Sequence, residues 1–168
     1  MILIGLGANL EHPTYGSPAE TLKAAIRALN TIFEVEAQSS LYTSAPVPMS
    51  DQPWFVNAVV RVSGNFTLEN TLNYMHNIEK EFGRVRELKW EARVLDLDLL
   101  AFHKKITKNK DQGSGPVVPH PFLAERRFVL VPIVEIAPDW RHPTSNLSAA
   151  EMLASLPEGQ KLEILPSG

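Results

Sequence analysis

The chain has 168 residues, 44% of them hydrophobic and 21% charged, and carries a formal net charge of −3. This suits one globular domain over residues 1–168 and argues against a general attraction to nucleic acid or anionic membrane, so any cationic site must be local. There is no cysteine, which excludes disulfides and thiolate metal sites and fits a reducing cytoplasm. Met1 to Gly5 lacks the basic start of a secretory leader, and no apolar run reaches membrane-spanning length.

Met1 to Gly7 reads as a short buried strand, with Gly5 and Gly7 making a tight turn at its end. Ser17-Pro18-Ala19-Glu20 is a capping box with proline at the first helical position, opening a helix with Leu22, Ala25, Ile26 and Leu29 on one face. Phe33 to Ser44 is expected as a second strand with room for a bulge, followed by a proline-rich loop over 45–53 and a third strand from Phe55 to Val62. Thr67 caps a helix running to Phe82, with Leu68, Leu72, Met75, Ile78 and Phe82 as its apolar stripe and Gly83 as its stop. A charged loop follows, then a strand from Leu95 to Phe102, then a polar, mobile connection from Lys104 to Gly115. Arg127 to Ile136 is apolar and helical in character, with Pro132 arguing for a late start or a kink. Ser148-Ala149-Ala150-Glu151 is a second capping box for a short helix to Leu156, and Lys161 to Leu165 is a candidate edge strand. The core order, strand-helix-strand-strand-helix-strand, is the ferredoxin-like βαββαβ arrangement. That is an α+β fold with an antiparallel sheet, helices packed on it and additional C-terminal elements.

The feature richest in chemistry is Arg93-Val94-Leu95-Asp96-Leu97-Asp98-Leu99-Leu100. Its period of two sends Leu95, Leu97 and Leu99 to one face of a strand and Asp96 and Asp98 to the other. Carboxylates two residues apart, about 6.5–7 Å at Cα, repel unless a cation lies between them. Magnesium takes oxygen ligands of this kind together with substrate phosphates. On its own the pattern also fits an edge strand with a solvated acidic face. Its neighbours shift the balance: Arg84, Arg86, Lys89 and Arg93 precede it and His120, Arg126 and Arg127 follow, so acids and cations together suggest a metal–polyphosphate site. No phosphate-binding glycine loop or kinase motif is present, so arginine side chains and metal must hold any phosphates. Trp90 in a charged loop is placed to cover a planar ligand. Asn57 interrupts an apolar strand either as a hydrogen-bonded core amide or as a reader of a heterocycle's edge.

The ordered set Gly5-Leu6-Gly7-Ala8-Asn9-Leu10, Ser40-x-Tyr42-x-Ser44, Asp51-Gln52-Pro53-x-Phe55-x-Asn57, Glu79-x-x-Phe82-Gly83-Arg84-Val85-Arg86, Trp90-x-x-Arg93-x-Leu95-Asp96-Leu97-Asp98 and Pro119-His120-Pro121 with Glu125-Arg126-x-Phe128-Val129-Leu130 resembles the 6-hydroxymethyl-7,8-dihydropterin pyrophosphokinases. The resemblance runs from residue 2 to about 143 and implies the ferredoxin-like fold. It also implies transfer of pyrophosphate from ATP, a co-substrate, to the hydroxymethyl group of a reduced pterin in folate synthesis, with AMP released. By the same resemblance, Asp96 and Asp98 hold two Mg²⁺ ions and act in catalysis with Arg84 and Arg93. Leu72, His76, Glu79, Arg84, Arg86, Trp90, Arg93, Leu99, His120 and Arg126 contact ATP. Phe55 and Phe128 sandwich the pterin, while Asn57 and the chain at Ser44, Ala45, Pro46 and Val47 read its edge. The implied partners are these two small molecules, with no nucleic acid and no membrane, for a cytoplasmic monomer.

Three departures stand out. Glu91-Ala92 replaces the Gly-Pro common in the family between tryptophan and arginine, in a loop expected to close over ATP. Pro48 stands where glycine is common, and Phe55 where tyrosine is. A nucleotide-sensing module without turnover, a solvated structural domain and a two-metal phosphotransferase such as a nucleotide cyclase are the competing classes. Release of AMP from ATP in the presence of the hydroxymethyl pterin separates them.

Overall fold

The apolar periodicities are realised in the order β1 (Ile2–Ala8), α1 (Pro18–Asn30), β2 (Glu34–Gln38), β3 (Tyr42–Ser44), β4 (Phe55–Ser63), α2 (Leu68–Glu81), β5 (Asp96–Phe102), a 3₁₀ turn (Leu123–Glu125), α3 (Arg127–Ile136), α4 (Ala149–Ala154) and β6 (Leu162–Ile164). The structure is a computed structural model and describes residues 1–46, 49–83, 94–107 and 117–166. The charged loop over 84–93 and the connection over 108–116 therefore lie outside the described residues.

Among the described residues the strands form one sheet in the order β5-β1-β4-β3-β6, with β2 also paired to β4. Every pairing is antiparallel. β3 meets β4 at Phe55–Asn57 and β2 meets it at Val60–Ser63, so the two follow each other along one edge of β4. Together they are the single second strand expected from the sequence, broken at Ser39–Leu41. At the break Ser39 N donates to Val59 O and Val59 N donates to Ser39 Oγ, both at 2.9 Å. The serine hydroxyl thus stands in for a backbone carbonyl while the chain bends away. A bulge, for which the sequence left room, lies between Val35 and Ala37.

The sheet is covered on both faces. Ile2, Ile4, Leu6, Val60, Val62, Leu95, Leu97 and Leu99 pack with α1 and α2. Leu3, Val59, Leu100 and Ala101 pack with Leu123, α3 and α4. The alternation read in the leucine–aspartate strand therefore holds. A register shift opposite Leu3 and Ile4 then puts both Leu100 and Ala101 on the second face.

Local signals act as their chemistry dictates. Ser148 and Glu151 form both halves of a capping box, whereas at α1 only the Ser17 half forms, because Glu20 pairs with Lys23 at 3.2 Å. α2 ends at Gly83, whose φ of +91° is open to glycine at no steric penalty. Pro132 neither delays nor ends α3, which starts at Arg127. Val129, Leu130 and Ile133 are buried against the sheet, and that burial outweighs the one backbone bond a proline forfeits.

Candidate active site

The second face of the sheet is only partly filled by α3, and beside the helix lies a cavity of about 340 Å³. Its floor follows from strand alternation. Ile2, Ile4, Leu6 and Ala8 turn toward α1 and α2, so Gly5 and Gly7 turn toward the cavity that they line. The two glycines are strand residues paired on both sides, not the tight turn expected after strand one. Gly7 pairs with Asn57 of β4 and with Asp96 of β5, while Gly5 pairs with Val59 and with Asp98. Two rows thus cross three adjacent strands, Asp96–Gly7–Asn57 and Asp98–Gly5–Val59, each spanning about 10 Å from end to end. Missing side chains in the middle of both rows leave a flat trough with carboxylates at one end and an amide at the other.

The amide is oriented by its surroundings. Asn57 is buried and its Nδ2 donates to Ser44 Oγ at 2.5 Å. Its Oδ1 lies over Gly7, where an added Cβ would sit 3.3 Å from it. Asn57 is therefore neither a passive core amide nor freely rotating; it is held by β3 with its carbonyl above the trough. On the same side, Ala45, Pro46, Ser50, Gln52 and Phe55 complete a wall. Asn9, buried at the end of β1, donates from Nδ2 to Gln52 Oε1 and Pro53 O, each at 3.1 Å. The loop before β4 is thereby tied to the trough.

The opposite wall is built by the segment leading into α3. His120 N donates to Leu100 O at 2.9 Å, fastening the segment to β5. His120 Nδ1 accepts from Phe122 N at 3.1 Å, so the neutral ring carries its proton on Nε2 and is a donor there. Arg126 stands at the N-terminus of α3 with its guanidinium carbon 5.3 Å from the centroid of Phe122 and 5.6 Å from that of Phe128. This double stack suits arginine's planar, weakly hydrated cation.

The two walls are joined behind the cavity. Glu135 of α3 accepts from Ser40 N at 3.0 Å, Ser40 Oγ at 2.7 Å and Tyr42 Oη at 2.7 Å. The break between β2 and β3 frees the Ser40 N–H that Glu135 takes. Burial pushes the Glu135 carboxyl up, but the hydrogen bonds from Ser40 and Tyr42 outweigh it and the net displacement is downward. The Tyr42 hydroxyl is pushed up to about 12, first by burial and then by its bond to Glu135 and that group's charge.

Ser44, Ala45, Pro46, Phe55, Asn57, Asp96, Asp98, His120, Arg126 and Phe128, all singled out in the sequence, line this one cavity. Val47, Arg84, Arg86, Trp90 and Arg93 lie outside the described residues. Leu72, His76, Glu79 and Leu99 sit elsewhere: Leu99 is in the core with α1 and α2, Leu72 packs against that core, and His76 is exposed. Glu79 is buried, and its Oε2 accepts from Leu97 N at 2.9 Å, joining α2 to the outer edge of β5. Phe122, Gln52 and Asn9 were not read as site residues. Asn9 had a sequence signal, a short polar residue directly after a buried strand; Phe122 had none beyond its aromatic ring.

Among the described residues no three His, Cys, Asp or Glu side chains converge as a metal cage. Asp96 and Asp98 offer hard oxygen donors on one strand face at the cavity. Such a pair fits Mg²⁺, which usually keeps water and shares a substrate's phosphates with one or two carboxylates.

An antiparallel ferredoxin-like sheet with acids, arginine and histidine around a flat trough defines a candidate phosphoryl-transfer enzyme. Residues 3–138 match the family described as 7,8-dihydro-6-hydroxymethylpterin-pyrophosphokinase (HPPK). The 2-amino-4-hydroxy-6-hydroxymethyldihydropteridine pyrophosphokinase of Pseudomonas aeruginosa is 38% identical over 168 residues, covering 98% of this chain and 96% of its own. That of Haemophilus influenzae is 33% identical, covering 97% of each chain. The chain belongs to the HPPK family. A solved HPPK-DHPS of Plasmodium falciparum has a TM-score of 0.62 at 14% identity over 91% of this chain and 43% of its own. A second HPPK-DHPS structure has a TM-score of 0.66 at 13% identity over 92% of this chain and 42% of its own. At those identities the likeness bears on the fold alone.

Proposed function

We infer that the trough between Asp96–Asp98 and Asn57 is where the two substrates of this pyrophosphokinase meet. The enzyme transfers pyrophosphate from ATP to the hydroxymethyl group of 6-hydroxymethyl-7,8-dihydropterin in folate biosynthesis, leaving AMP. The observation that carries our placement is the row Asp96–Gly7–Asn57. It gives a flat floor long enough for a bicyclic ring, with a fixed amide at one end and a carboxylate pair at the other.

The pterin is assigned to the inner half. Its ring lies between Phe55 and Phe128, and the amide of Asn57, held by Ser44, meets its donor–acceptor edge together with the chain at Ala45, Pro46 and Val47. Its hydroxymethyl group then points to the aspartates. Two Mg²⁺ ions would be held by Asp96 and Asp98, where they would neutralise the triphosphate and the charge that grows as the bond between the α- and β-phosphates breaks. The pterin hydroxyl oxygen bonds to the β-phosphorus, releasing its proton to solvent, as AMP leaves from the opposite side with the oxygen that bridged the α- and β-phosphates. Arg126, braced by two rings, and the Nε2–H of His120 donate to phosphate oxygens from the α3 wall. Both are held in place before reaction, so little reorganisation is needed as the charge shifts.

The adenosine is assigned to the edge where α2 runs beside β5, with Leu72, His76, Glu79 and Leu99 on two elements that the Glu79–Leu97 bond holds together. Arg84, Arg86, Trp90 and Arg93 are assigned to ATP on the sequence resemblance, with Arg84 and Arg93 acting on the reacting phosphates. A chain without cysteine suits a reducing compartment, and we place the enzyme in the cytoplasm as a monomer. The test is an assay of ATP with the hydroxymethyl pterin, reading AMP and pterin diphosphate. Wild-type turnover that is lost in Asp98→Ala and retained in a surface control such as Lys23→Ala is expected. Equal turnover in all three would overturn the site.

A further inference from the structure

Gln160 lies in the C-terminal segment, beyond the residues matched to the family. Its side-chain amide makes two short hydrogen bonds. Nε2 donates to Glu125 O and Oε1 accepts from Arg127 N, both at 2.8 Å. The two contacts bracket the backbone of Arg126. A carbonyl at one residue and an N–H two residues later point the same way only when the residue between them is extended, as in a strand. Arg126 is extended, with φ −114° and ψ 109°. In a helical turn those two groups point in opposite directions along the axis, and one amide could not reach both. Gln160 also supplies what α3 lacks locally: its N-cap residue, Arg126, makes no side-chain capping bond, and Gln160 takes one of the first N–H groups instead.

The rest of the tail runs to the other wall. Lys161 O accepts from Ala45 N at 3.4 Å, and β6 pairs with β3 so that Leu162 lies opposite Ser44. The segment from Gln160 to Ile164 therefore touches both the chain assigned to the pterin edge and the backbone of the arginine assigned to phosphate.

We propose that Gln160 is a positioning residue: its amide holds the Arg126 backbone extended, and this keeps the guanidinium between Phe122 and Phe128 at the cavity wall. The geometric part stands by itself. Its effect on turnover rests on the reading of Arg126 as a phosphate ligand.

The experiment compares wild type, Gln160→Ala, Gln160→Glu, Arg126→Ala and the double variant Gln160→Ala/Arg126→Ala, each checked for a cooperative thermal transition. In ¹H–¹⁵N spectra the Arg126 Nε–H, identified by its loss in Arg126→Ala, is expected upfield in wild type under the ring currents of two phenylalanines. It is expected to move to the random-coil position in Gln160→Ala. Gln160→Glu keeps the acceptor for Arg127 N but loses the donor, and its shift is expected in between. In the assay Gln160→Ala is expected to lower kcat about tenfold, below the roughly hundredfold loss that a 1 Å misplacement can produce, with the KM for pterin changed less than about twofold. In the Arg126→Ala background Gln160→Ala is expected to add no further loss, because both changes act through one group. An unshifted Arg126 resonance in Gln160→Ala would overturn the proposal, as would a full additional loss of kcat in the Arg126→Ala background. Full turnover of Arg126→Ala would instead remove the phosphate role of Arg126, and the resonance would still decide whether Gln160 positions it.

Discussion

Gly7→Ala isolates the trough from the stability of the fold. Gly7 lies inside β1 with strand partners on both sides, so alanine has no backbone reason to strain. Losing a glycine's unfolded-state freedom alone stabilises by about 0.4–1 kcal/mol where the new residue fits. The added methyl would sit 3.3 Å from Asn57 Oδ1, 3.9 Å from Phe55 Cδ1 and 4.0 Å from Val56 O. Asn57 has little room to yield, because it is buried and tied to Ser44. The methyl therefore raises the floor under the ring and displaces the amide carbonyl by a few tenths of an ångström. Loss of one neutral hydrogen bond plus part of the ring's contact amounts to about 1–2 kcal/mol, or roughly 5- to 30-fold in affinity. Gly5→Ala is the internal control. There the methyl would meet Leu100 Cδ1 at 3.3 Å rather than Asn57, so any strain falls on the core and pterin affinity should change by less than about threefold. Calorimetric titration of pterin with a non-hydrolysable ATP analogue present, beside a thermal melt of each variant, measures both quantities. Gly7→Ala should still melt cooperatively, the strain at Asn57 opposing the glycine term, and should bind pterin more weakly. Unchanged binding in Gly7→Ala, or equal weakening in Gly5→Ala, would refute the assignment of the pterin edge to Asn57 above Gly7.

Asp96→Ala and Asp98→Ala should each fold, since their side chains lie off the leucine face, and should lose turnover by orders of magnitude; near-normal rates in a folded variant would end the metal assignment. Phe55→Ala should weaken pterin by about 1–3 kcal/mol while ATP affinity changes little. Phe128→Ala should weaken pterin on the same scale and also loosen the stacked Arg126. Lost ATP binding with pterin binding kept in Phe55→Ala, read by calorimetry, would mean that the two pockets are exchanged. The Glu135 clamp predicts a pH dependence. Because its folded pKa lies below the usual 4.5, its contribution is present above that pH and is lost as the pH falls through the lowered folded value. The gap in melting temperature between wild type and Glu135→Gln should therefore close in acid, and a gap independent of pH would count against the clamp. Tyr42, raised from 10.0 to about 12, contributes stability that is full below pH 10.0 and is lost toward pH 12, so the gap in melting temperature from Tyr42→Phe should be constant below pH 10.0 and narrow only in that alkaline window.

The parts of this protein that were legible in the sequence are those set by local rules. The period of two in Leu95-Asp96-Leu97-Asp98-Leu99 sorted acids from core because neighbouring strand residues must face opposite ways. Caps, stripes and stops delimited the helices, and the element order gave the ferredoxin-like arrangement. What the tertiary structure decided depends on partners far along the chain. Gly5 and Gly7 read as a turn, and only strands on both sides of β1 make them the floor of a cavity. One strand expected over Phe33 to Ser44 is broken because Glu135, 95 residues beyond Ser40, takes the N–H that the break exposes. The rotamer of Asn57 depends on Ser44, and the backbone of Arg126 on Gln160, 33 residues from the N–H it accepts. A hydrogen bond is worth a kilocalorie or two wherever its partner sits in the chain. Periodicity reports which face a residue takes, but only the folded chain determines which distant group meets it there.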